Sequence, residues 1–305
     1  RIPIGIYEKA LPEAFTWEDK LNAAKEAGFD YIELSIDESD KRLERLDWTA
    51  DKKTELQKLV RSTGITISSM CLSGHRRYPF GSKEKSIRNK AYEIMKKAIE
   101  LSVDLGIRII QLAAYDVYYE ESDQTTKANF LEGMQKSIEW ASKAGVILAL
   151  EIMDTNFIGT ILRAMPYINR FNSPWLKLYP DLGNLSVWSN DVESELELGF
   201  PHIVAIHVKE TKPGVFRGVP FGEGIVRFAD LFAKLKELNY QGPFLIEMWA
   251  DNSKPVSWEE AVRDIYNARQ FVLQKMAEGG LIQAGKTGEY KVELFKSKAV
   301  SHRTG

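Results

Sequence analysis

Cysteine and histidine are the scarcest chemically versatile residues in this 305-residue chain, which has one cysteine and four histidines. A single thiol, Cys71, can form no internal disulfide and cannot build a zinc site that needs several cysteines. The four imidazoles, His75, His202, His207 and His302, are too few for a multi-zinc centre rich in histidine. These shortages leave one kind of metal site open, in which carboxylates supply most of the ligands.

The chain also has no excess of charge of one sign and no long hydrophobic run. It has 41 basic and 43 acidic side chains, a net charge of −2, so no positive surplus is present to neutralise the phosphates of a nucleic acid. No apolar run reaches the roughly 20 residues of a membrane helix, and residues 1–7 show no signal-peptide pattern. We therefore expect a cytoplasmic enzyme with neither a membrane nor a nucleic acid as partner.

One local pattern recurs along the chain: a polar amphipathic stretch, then a glycine, then a short apolar run. Glycine is favoured just past the end of a helix, because it takes up the left-handed conformation at little cost. Short runs that are apolar on both faces are typical of buried parallel strands. The pattern occurs at Gly28, Gly64, Gly106, Gly145 and Gly242.

These repeats predict eight strand and helix units, hence a single-domain (β/α)₈ TIM barrel over residues 1–280. We predict strands at about 2–8, 31–37, 65–73, 107–115, 146–154, 176–182, 203–210 and 243–249. We predict helices at about 16–27, 50–63, 83–105, 125–144, 160–171, 191–199, 228–239 and 257–278.

Two points of organisation remain open at this level. A doubly wound open sheet is the alternative fold, but residues 5–9 after the first strand lack the glycine-rich dinucleotide fingerprint. We interpret residues 281–305 as a C-terminal tail outside the barrel, since they show little apolar periodicity and suit a disordered segment. A docking arm for a partner subunit is the second interpretation of this tail.

Four ionisable residues lie near the C-terminal ends of the last four predicted strands, where the active sites of barrels are found. Burying such groups is costly unless they are paired or bind a metal ion. Three carboxylates and one imidazole at a common point suit Mn²⁺, Mg²⁺, Co²⁺ or Zn²⁺. A hydrogen-bonded core residue is the alternative for any one of them taken singly. The four residues are Glu151, Asp181, His207 and Glu247.

This order of ligands resembles the xylose-isomerase-like barrel superfamily. Within it, the chain most resembles the L-ribulose-5-phosphate 3-epimerase family, also called the L-xylulose-5-phosphate 3-epimerase family. The resemblance covers about residues 1–280 and is more specific than the four ligands alone. Its matching stretches are 4–12, 69–77, 110–113, 115–119, 178–186, 207–214 and 219–224.

The resemblance implies interconversion of L-xylulose 5-phosphate and L-ribulose 5-phosphate, or of a close ketose 5-phosphate, in L-ascorbate and pentose utilisation. It implies one divalent ion per subunit, Zn²⁺ or Mn²⁺, and a homo-oligomer, taken as a dimer. Inversion at C3 through a cis-enediolate needs one base on each face of that carbon. We hypothesise that Glu151 and Glu247 are these two bases and also ligate the metal, as the resemblance implies, with Asp181 and His207 as ligands only.

The sugar phosphate needs further contacts around this centre. Lys209 lies two residues after His207, on the same face of its strand. Late loops of barrels often bind phosphate, and cations of the glycine-rich loop after strand seven are candidates. Epimerases of free ketoses often carry histidine where this chain has Asn184, which favours a phosphorylated substrate. The candidate substrate and phosphate contacts are His75, Lys209, Lys212, Arg217, Tyr7, Asn184 and Trp249.

Other functions compete with this one. A free-ketose 3-epimerase, a sugar isomerase and an inosose dehydratase could all use the same metal scaffold. An abasic-site endonuclease is disfavoured by the few histidines and the lack of basic excess. A non-catalytic barrel that only binds sugar phosphates is also possible, but binding alone would not require both Glu151 and Glu247.

Overall fold

Eight parallel strands form one sheet in the computed structural model, which describes residues 2–283. Each lies within a range predicted from the sequence. The strands are β1 (Ile4–Tyr7), β2 (Tyr31–Ile36), β3 (Thr66–Leu72), β4 (Ile109–Leu112), β5 (Ile147–Glu151), β6 (Leu176–Tyr179), β7 (Ile206–Val208) and β8 (Phe244–Ile246).

The sheet closes on itself, which confirms the (β/α)₈ TIM barrel. Hydrogen-bonded neighbours run in the order β6-β5-β4-β3-β2-β1-β8-β7. The two remaining edges, β6 and β7, are joined by backbone hydrogen bonds just outside the strands. The amide of Val204 donates to the carbonyl of Leu178 at 3.0 Å, and that of His207 donates to the carbonyl of Pro180 at 2.9 Å. The C-terminal ends of all eight strands therefore meet at one mouth.

Helices connect the strands, and all eight predicted helices are present. Two short helices, Asp40–Leu43 and Leu182–Trp188, were not predicted, because one or two helical turns are too short to show a clear periodicity in the sequence. The helices are α1 (Trp17–Glu26), α2 (Asp40–Leu43), α3 (Ala50–Thr63), α4 (Lys85–Leu105), α5 (Gln124–Ala144), α6 (Ile161–Phe171), α7 (Leu182–Trp188), α8 (Val192–Gly199), α9 (Phe228–Glu237) and α10 (Trp258–Glu278).

Local sequence signals explain where several helices begin and end. Thr16 and Ser257 form capping boxes, each accepting a hydrogen bond from the backbone amide three residues on. Gly64, Gly106 and Gly145 end α3, α4 and α5 with φ of 78°, 75° and 71°. A side chain is strained in this left-handed region, so glycine stops these helices at low cost. The turns then lead straight into β3, β4 and β5.

The interior of the barrel is filled by a small cluster that is separate from the core between strands and helices. Tyr7, Tyr31, Tyr179 and Leu245 are among its buried members. A Cβ added to Gly5 would lie 2.4 Å from the ring of Tyr31, so the glycine makes room for this ring. The tyrosines fill the barrel below its mouth and leave the space above them for a site.

The two ends of the described chain lie against the body of the barrel. Leu281 and Ile282 follow α10 and pack on the hydrophobic core. The rest of the predicted tail, from residue 284 onward, falls outside the described residues. Within residues 2–283, none of the helices has the length and apolar character needed to cross a membrane.

A buried charge cluster fixes the rim of the barrel beside β1. Glu8 directly follows β1 and is fully buried. Its carboxylate accepts from Lys20 Nζ at 2.9 Å and from the guanidinium of Arg45 at 2.6 and 2.7 Å. Arg42 Nη1 lies 2.6 Å from Oε1, and the amide of Ser35 donates to Oε2 at 2.9 Å. Burial alone would raise the pKa of Glu8, but these partners lower it well below its usual range.

Replacing this carboxylate should destabilise the whole barrel. Glu8→Ala leaves Lys20, Arg42 and Arg45 without their shared counter-charge in a buried setting. We expect the free energy of unfolding to fall by about 3–5 kcal/mol, measured by urea denaturation of the metal-free protein. Glu139→Ala, which removes an exposed partner of Lys143, should leave that free energy nearly unchanged. Equal stability of the two variants would contradict this role for Glu8.

Candidate active site

The four predicted metal ligands come together at the C-terminal mouth of the barrel. Glu151 ends β5, Asp181 caps α7 directly after β6, His207 lies in β7, and Glu247 follows β8. One donor atom from each residue lies within 4.8 Å of the other three. His207 Nδ1 is 3.7 Å from a Glu151 oxygen, 3.8 Å from Asp181 Oδ2 and 3.6 Å from Glu247 Oε2.

This donor set fits one divalent metal ion. Donors that sit 2.0–2.2 Å from an ion in a tetrahedral site are about 3.3–3.6 Å apart, close to the separations seen here. Among residues 2–283, no hydrogen bond satisfies the buried oxygens Asp181 Oδ2 and Glu247 Oε2, and the Lys209 ammonium, 3.0 and 3.1 Å from them, is the cation they share. Such oxygens are costly to bury unless a cation satisfies them. The chemistry of three carboxylates with one imidazole suits a hard or borderline divalent ion.

Lys209 supplies a positive charge directly beside this centre. Its Nζ lies 3.0 Å from Asp181 Oδ2 and 3.1 Å from Glu247 Oε2, in ion pairs that lack hydrogen-bond geometry. The side chain is buried and passes beneath the ring of Trp249, 5.8 Å from its centre. Burial would lower the pKa of Lys209, but Asp181 and Glu247 raise it above its usual range. Lys209 therefore stays charged and offsets part of the carboxylate charge.

The inner side of His207 contacts a buried hydrogen-bond network around Glu33. Glu33 on β2 is fully buried, and its Oε1 accepts a hydrogen bond from His207 Nε2 at 2.9 Å. Its Oε2 accepts from the hydroxyls of Tyr179 at 2.9 Å and Ser69 at 2.6 Å. The amide nitrogen of Gln111 lies 3.1 Å from His207 Nε2. The signal in the sequence was an acidic residue within an apolar strand, the same signal that revealed Glu151.

Burial and mutual repulsion give the carboxyl groups different pKa values. Burial, and next the charge of Glu247, raise the pKa of Glu151 to about 8. Burial also raises the pKa of Asp181, to about 6, although Lys209 opposes the shift. For Glu247, burial is outweighed by Lys209 and His207, which lower its pKa. At neutral pH the metal-free centre therefore holds a proton on Glu151 while Glu247 is ionised.

A cavity of about 290 Å³ opens above the four ligands. Tyr7 and Trp249 form one wall, with their rings edge to face at 6.2 Å. The guanidinium of Arg217 lies 5.7 Å from the centre of the Trp249 ring and contacts no carboxylate among the described residues. Five of the predicted substrate contacts line this cavity together with Glu151 and Glu247: Tyr7, Asn184, Lys209, Arg217 and Trp249.

The structure does not bring the other two predicted contacts, His75 and Lys212, to the cavity. His75 is buried, with Nε2 at 3.0 Å from the carbonyl of Ala91 and its ring stacked on Phe80 at 4.5 Å. Burial lowers the pKa of His75 to about 4, so the ring is neutral. Lys212 is exposed in a turn that its backbone closes with Val215. His75 and Arg76 are consecutive residues of one short turn, and their side chains point to different sides. The sequence did not show which of the two faces the cavity.

Arg76, the residue after His75, takes the place beside the cavity. Its side chain lines the cavity, and its Nη2 donates to the hydroxyl of Tyr115 at 3.2 Å. The guanidinium also lies 4.8 Å from the centre of the Tyr118 ring. Tyr115 in turn donates to Asp154 at 2.7 Å. The mouth of the cavity thus has two arginines, Arg76 and Arg217.

Known proteins are similar to this chain in sequence and in fold. The family model described as xylose isomerase-like TIM barrel matches residues 21–268. The L-ribulose-5-phosphate 3-epimerase UlaE of Escherichia coli O1:K1 is 49% identical over 284 residues, covering 93% of this chain and 98% of the relative. A solved D-allulose 3-epimerase from Methylomonas sp. has a TM-score of 0.73 at 20% identity, over 90% of this chain and 97% of that one. For a D-psicose 3-epimerase from Clostridium cellulolyticum H10 the values are 0.75, 17%, 90% and 99%.

Metal binding should depend on pH because a proton must leave Glu151. The raised pKa keeps this carboxyl protonated up to about pH 8, whereas a metal ligand must be ionised. His207 must lose a proton as well, since Glu33 and Glu247 outweigh burial and raise the pKa of its imidazole. The affinity for Mn²⁺ or Zn²⁺ should therefore rise by at least about tenfold per pH unit below pH 8. Calorimetry in two buffers of different ionisation enthalpy measures the affinity and the protons released. An affinity that is the same at pH 6 and pH 7.5 would contradict this arrangement.

Proposed function

From the premise that this chain belongs to the xylose isomerase-like TIM barrel family, we propose that it is a metal-dependent 3-epimerase of sugar phosphates. Its substrates are L-xylulose 5-phosphate and L-ribulose 5-phosphate, or a close ketose 5-phosphate. The observation that carries this proposal is the near-full-length similarity to relatives named L-ribulose-5-phosphate 3-epimerase. The two glutamates in the cavity support the same reaction class, since an epimerase needs two proton-transfer groups.

One divalent ion per subunit is part of the proposal, with Zn²⁺ or Mn²⁺ as the candidates. Glu151, Asp181, His207 and Glu247 would hold it, since their donors surround one point. Held by these four residues, a divalent ion would supply Lewis-acid stabilisation of the negative charge that develops on the substrate oxygens. Lys209 adds a second, permanent positive charge on the same side of the cavity. Such fixed charges act strongly in a site from which water is excluded.

Glu151 and Glu247 are the proposed acid and base. They approach the centre from β5 and β8, and both line the cavity. One carboxylate oxygen removes the proton from C3, and the other carboxyl returns a proton to the opposite face. In the metal-free protein the pKa of Glu151 is raised and that of Glu247 is lowered, so the two carboxyl groups lie in different electrostatic surroundings. In the reverse reaction the two roles are exchanged.

Arg217 is the proposed phosphate contact. It lines the cavity and, among the described residues, contacts no carboxylate, so its guanidinium is available to an anion. Lys209 is already held between two carboxylates, and we assign it to the metal centre. Arg76 is the second arginine that lines the cavity. Tyr7 and Trp249 form one wall of the cavity, where they shield the enediolate from water.

Neutral amides at the two glutamate positions should stop proton transfer. We expect Glu151→Gln and Glu247→Gln each to lower kcat by about 10²–10⁴-fold, because an amide can neither remove nor return the C3 proton. Turnover and exchange of the C3 proton with deuterated solvent are measured at saturating metal, with the bound metal quantified. The exposed control Glu132→Gln on α5 should retain full activity. Near-normal turnover by either metal-loaded glutamine variant would refute the two-base mechanism.

The phosphate contact can be tested by comparing two neighbouring cations. Arg217→Gln should raise KM for L-ribulose 5-phosphate by about tenfold or more, since a charged contact to phosphate is lost, and leave kcat for free L-ribulose unchanged. Lys212→Gln, in the same loop but outside the cavity, should match the wild type on both substrates. Equal kcat/KM of the wild type for the free and phosphorylated sugars would instead favour a free-ketose 3-epimerase.

Four further expectations remain predictions. A homodimer would be seen as twice the 34.7 kDa chain mass in light scattering. The cytoplasmic location and the role in L-ascorbate and pentose utilisation are expectations from the sequence resemblance, and growth of a deletion strain on L-ascorbate tests the latter. The barrel domain of residues 1–280 and the tail of residues 281–305 can be tested by limited proteolysis.

A further inference from the structure

His207 contacts a further acidic residue, Glu33, on the side facing away from the proposed metal centre. Its Nε2 donates to Glu33 Oε1 at 2.9 Å, and neither side chain is exposed. Glu33 lies on β2, which pairs with β1 and β3, whereas His207 lies on β7, which pairs with β8. The hydrogen bond therefore crosses the interior of the barrel, between strands that are not neighbours in the sheet.

This contact determines which imidazole nitrogen faces the carboxylates. A neutral imidazole has one nitrogen that donates a proton and one with a free lone pair. A bound metal requires the neutral ring, and because Nε2 then donates to the Glu33 carboxylate, the lone pair belongs to Nδ1, which is the atom 3.6–3.8 Å from Glu151, Asp181 and Glu247. A carboxylate that accepts from a ligand histidine fixes the orientation of the ring and makes the other nitrogen a stronger donor.

We propose that Glu33 is a positioning residue for the metal centre: its carboxylate holds His207 with Nδ1 towards the ion and tightens metal binding. This inference rests on the proposed metal-dependent function. Glu33 itself is not a ligand, since it is outside the group of four donors and lies beyond His207 from them.

A purely structural role for Glu33 makes a different prediction. Its other oxygen, Oε2, accepts from Ser69 on β3 and Tyr179 at the end of β6, so Glu33 also ties strands together. The two oxygens thus have separate partners: Oε1 contacts the ligand histidine, and Oε2 contacts the two hydroxyls. Removing a hydroxyl partner weakens the strand contacts and leaves the bond to His207 in place.

The test compares three variants that each remove part of this network. Glu33→Gln keeps the shape of the side chain and removes its charge, while Ser69→Ala and Tyr179→Phe each remove one bond to Oε2. Affinity for Zn²⁺ is measured by competition with a chelator, and thermal melting of the metal-free proteins reports the strand contacts. We expect Zn²⁺ binding to weaken by about 10–100-fold in Glu33→Gln and by less than about threefold in the two controls.

A spectroscopic measurement reports the ligand directly. The visible absorption of bound Co²⁺ depends on its ligands, so Glu33→Gln should change this spectrum while Ser69→Ala and Tyr179→Phe preserve it. If Glu33→Gln does not fold, Glu33→Asp is used, which keeps the charge but withdraws it from His207; it too should weaken Zn²⁺ binding.

Either of two results would overturn the inference. One is a folded Glu33 variant that binds Zn²⁺ as the wild type does, with an unchanged Co²⁺ spectrum. The other is an equal loss of affinity in all three variants, which would mean that only the packing of the strands matters. A wild-type protein that binds no divalent ion would contradict the proposed function itself, and this inference with it.

Discussion

The burial of three carboxylates around one point is the constraint on which this site depends. Glu151, Asp181 and Glu247 lie at the ends of three strands, with exposed fractions of 6%, 0% and 7%. Carboxylates this close together repel one another unless a positive charge lies nearby. Lys209 and the imidazole of His207 provide some of it, and a divalent ion would provide the rest. The barrel therefore holds in its mouth a set of negative charges that Lys209 offsets only in part, and this is the physical basis on which we propose a divalent ion there.

The closure of the barrel is what assembles this set of charges. Asp181 and His207 pair across the last gap in the sheet, where the amide of His207 donates to the carbonyl of Pro180. At the other side of the mouth, consecutive residues at the end of β1 point to opposite sides: Tyr7 lines the cavity, and Glu8, directly after the strand, binds the cations Lys20, Arg42 and Arg45. The same backbone thus shapes the wall of the cavity and anchors it to the surrounding helices.

The helices and strands could be predicted because their sequence patterns repeat along the chain. Gly64, Gly106 and Gly145 revealed the ends of helices, and the apolar runs after them revealed strands. Glu151 and Glu247 were found because an acidic residue in an apolar strand has few physical explanations. His75 and Lys212 could not be assigned in this way, because the direction of a side chain in an irregular loop depends on packing that no local pattern encodes. Glu33 joins the site through contacts with residues 36, 146 and 174 positions away: Ser69 on the neighbouring strand, and Tyr179 and His207 across the barrel.

We expect four side chains, contributed by the ends of four successive strands, to hold one divalent ion. Anomalous diffraction from crystals grown with Mn²⁺ can locate such an ion. One peak per chain is expected, about 2.0–2.2 Å from an oxygen of Glu151, Asp181 and Glu247 and from His207 Nδ1. A peak elsewhere in the barrel, or an ion bound without His207 and Glu247, would show that these four residues do not form the metal site.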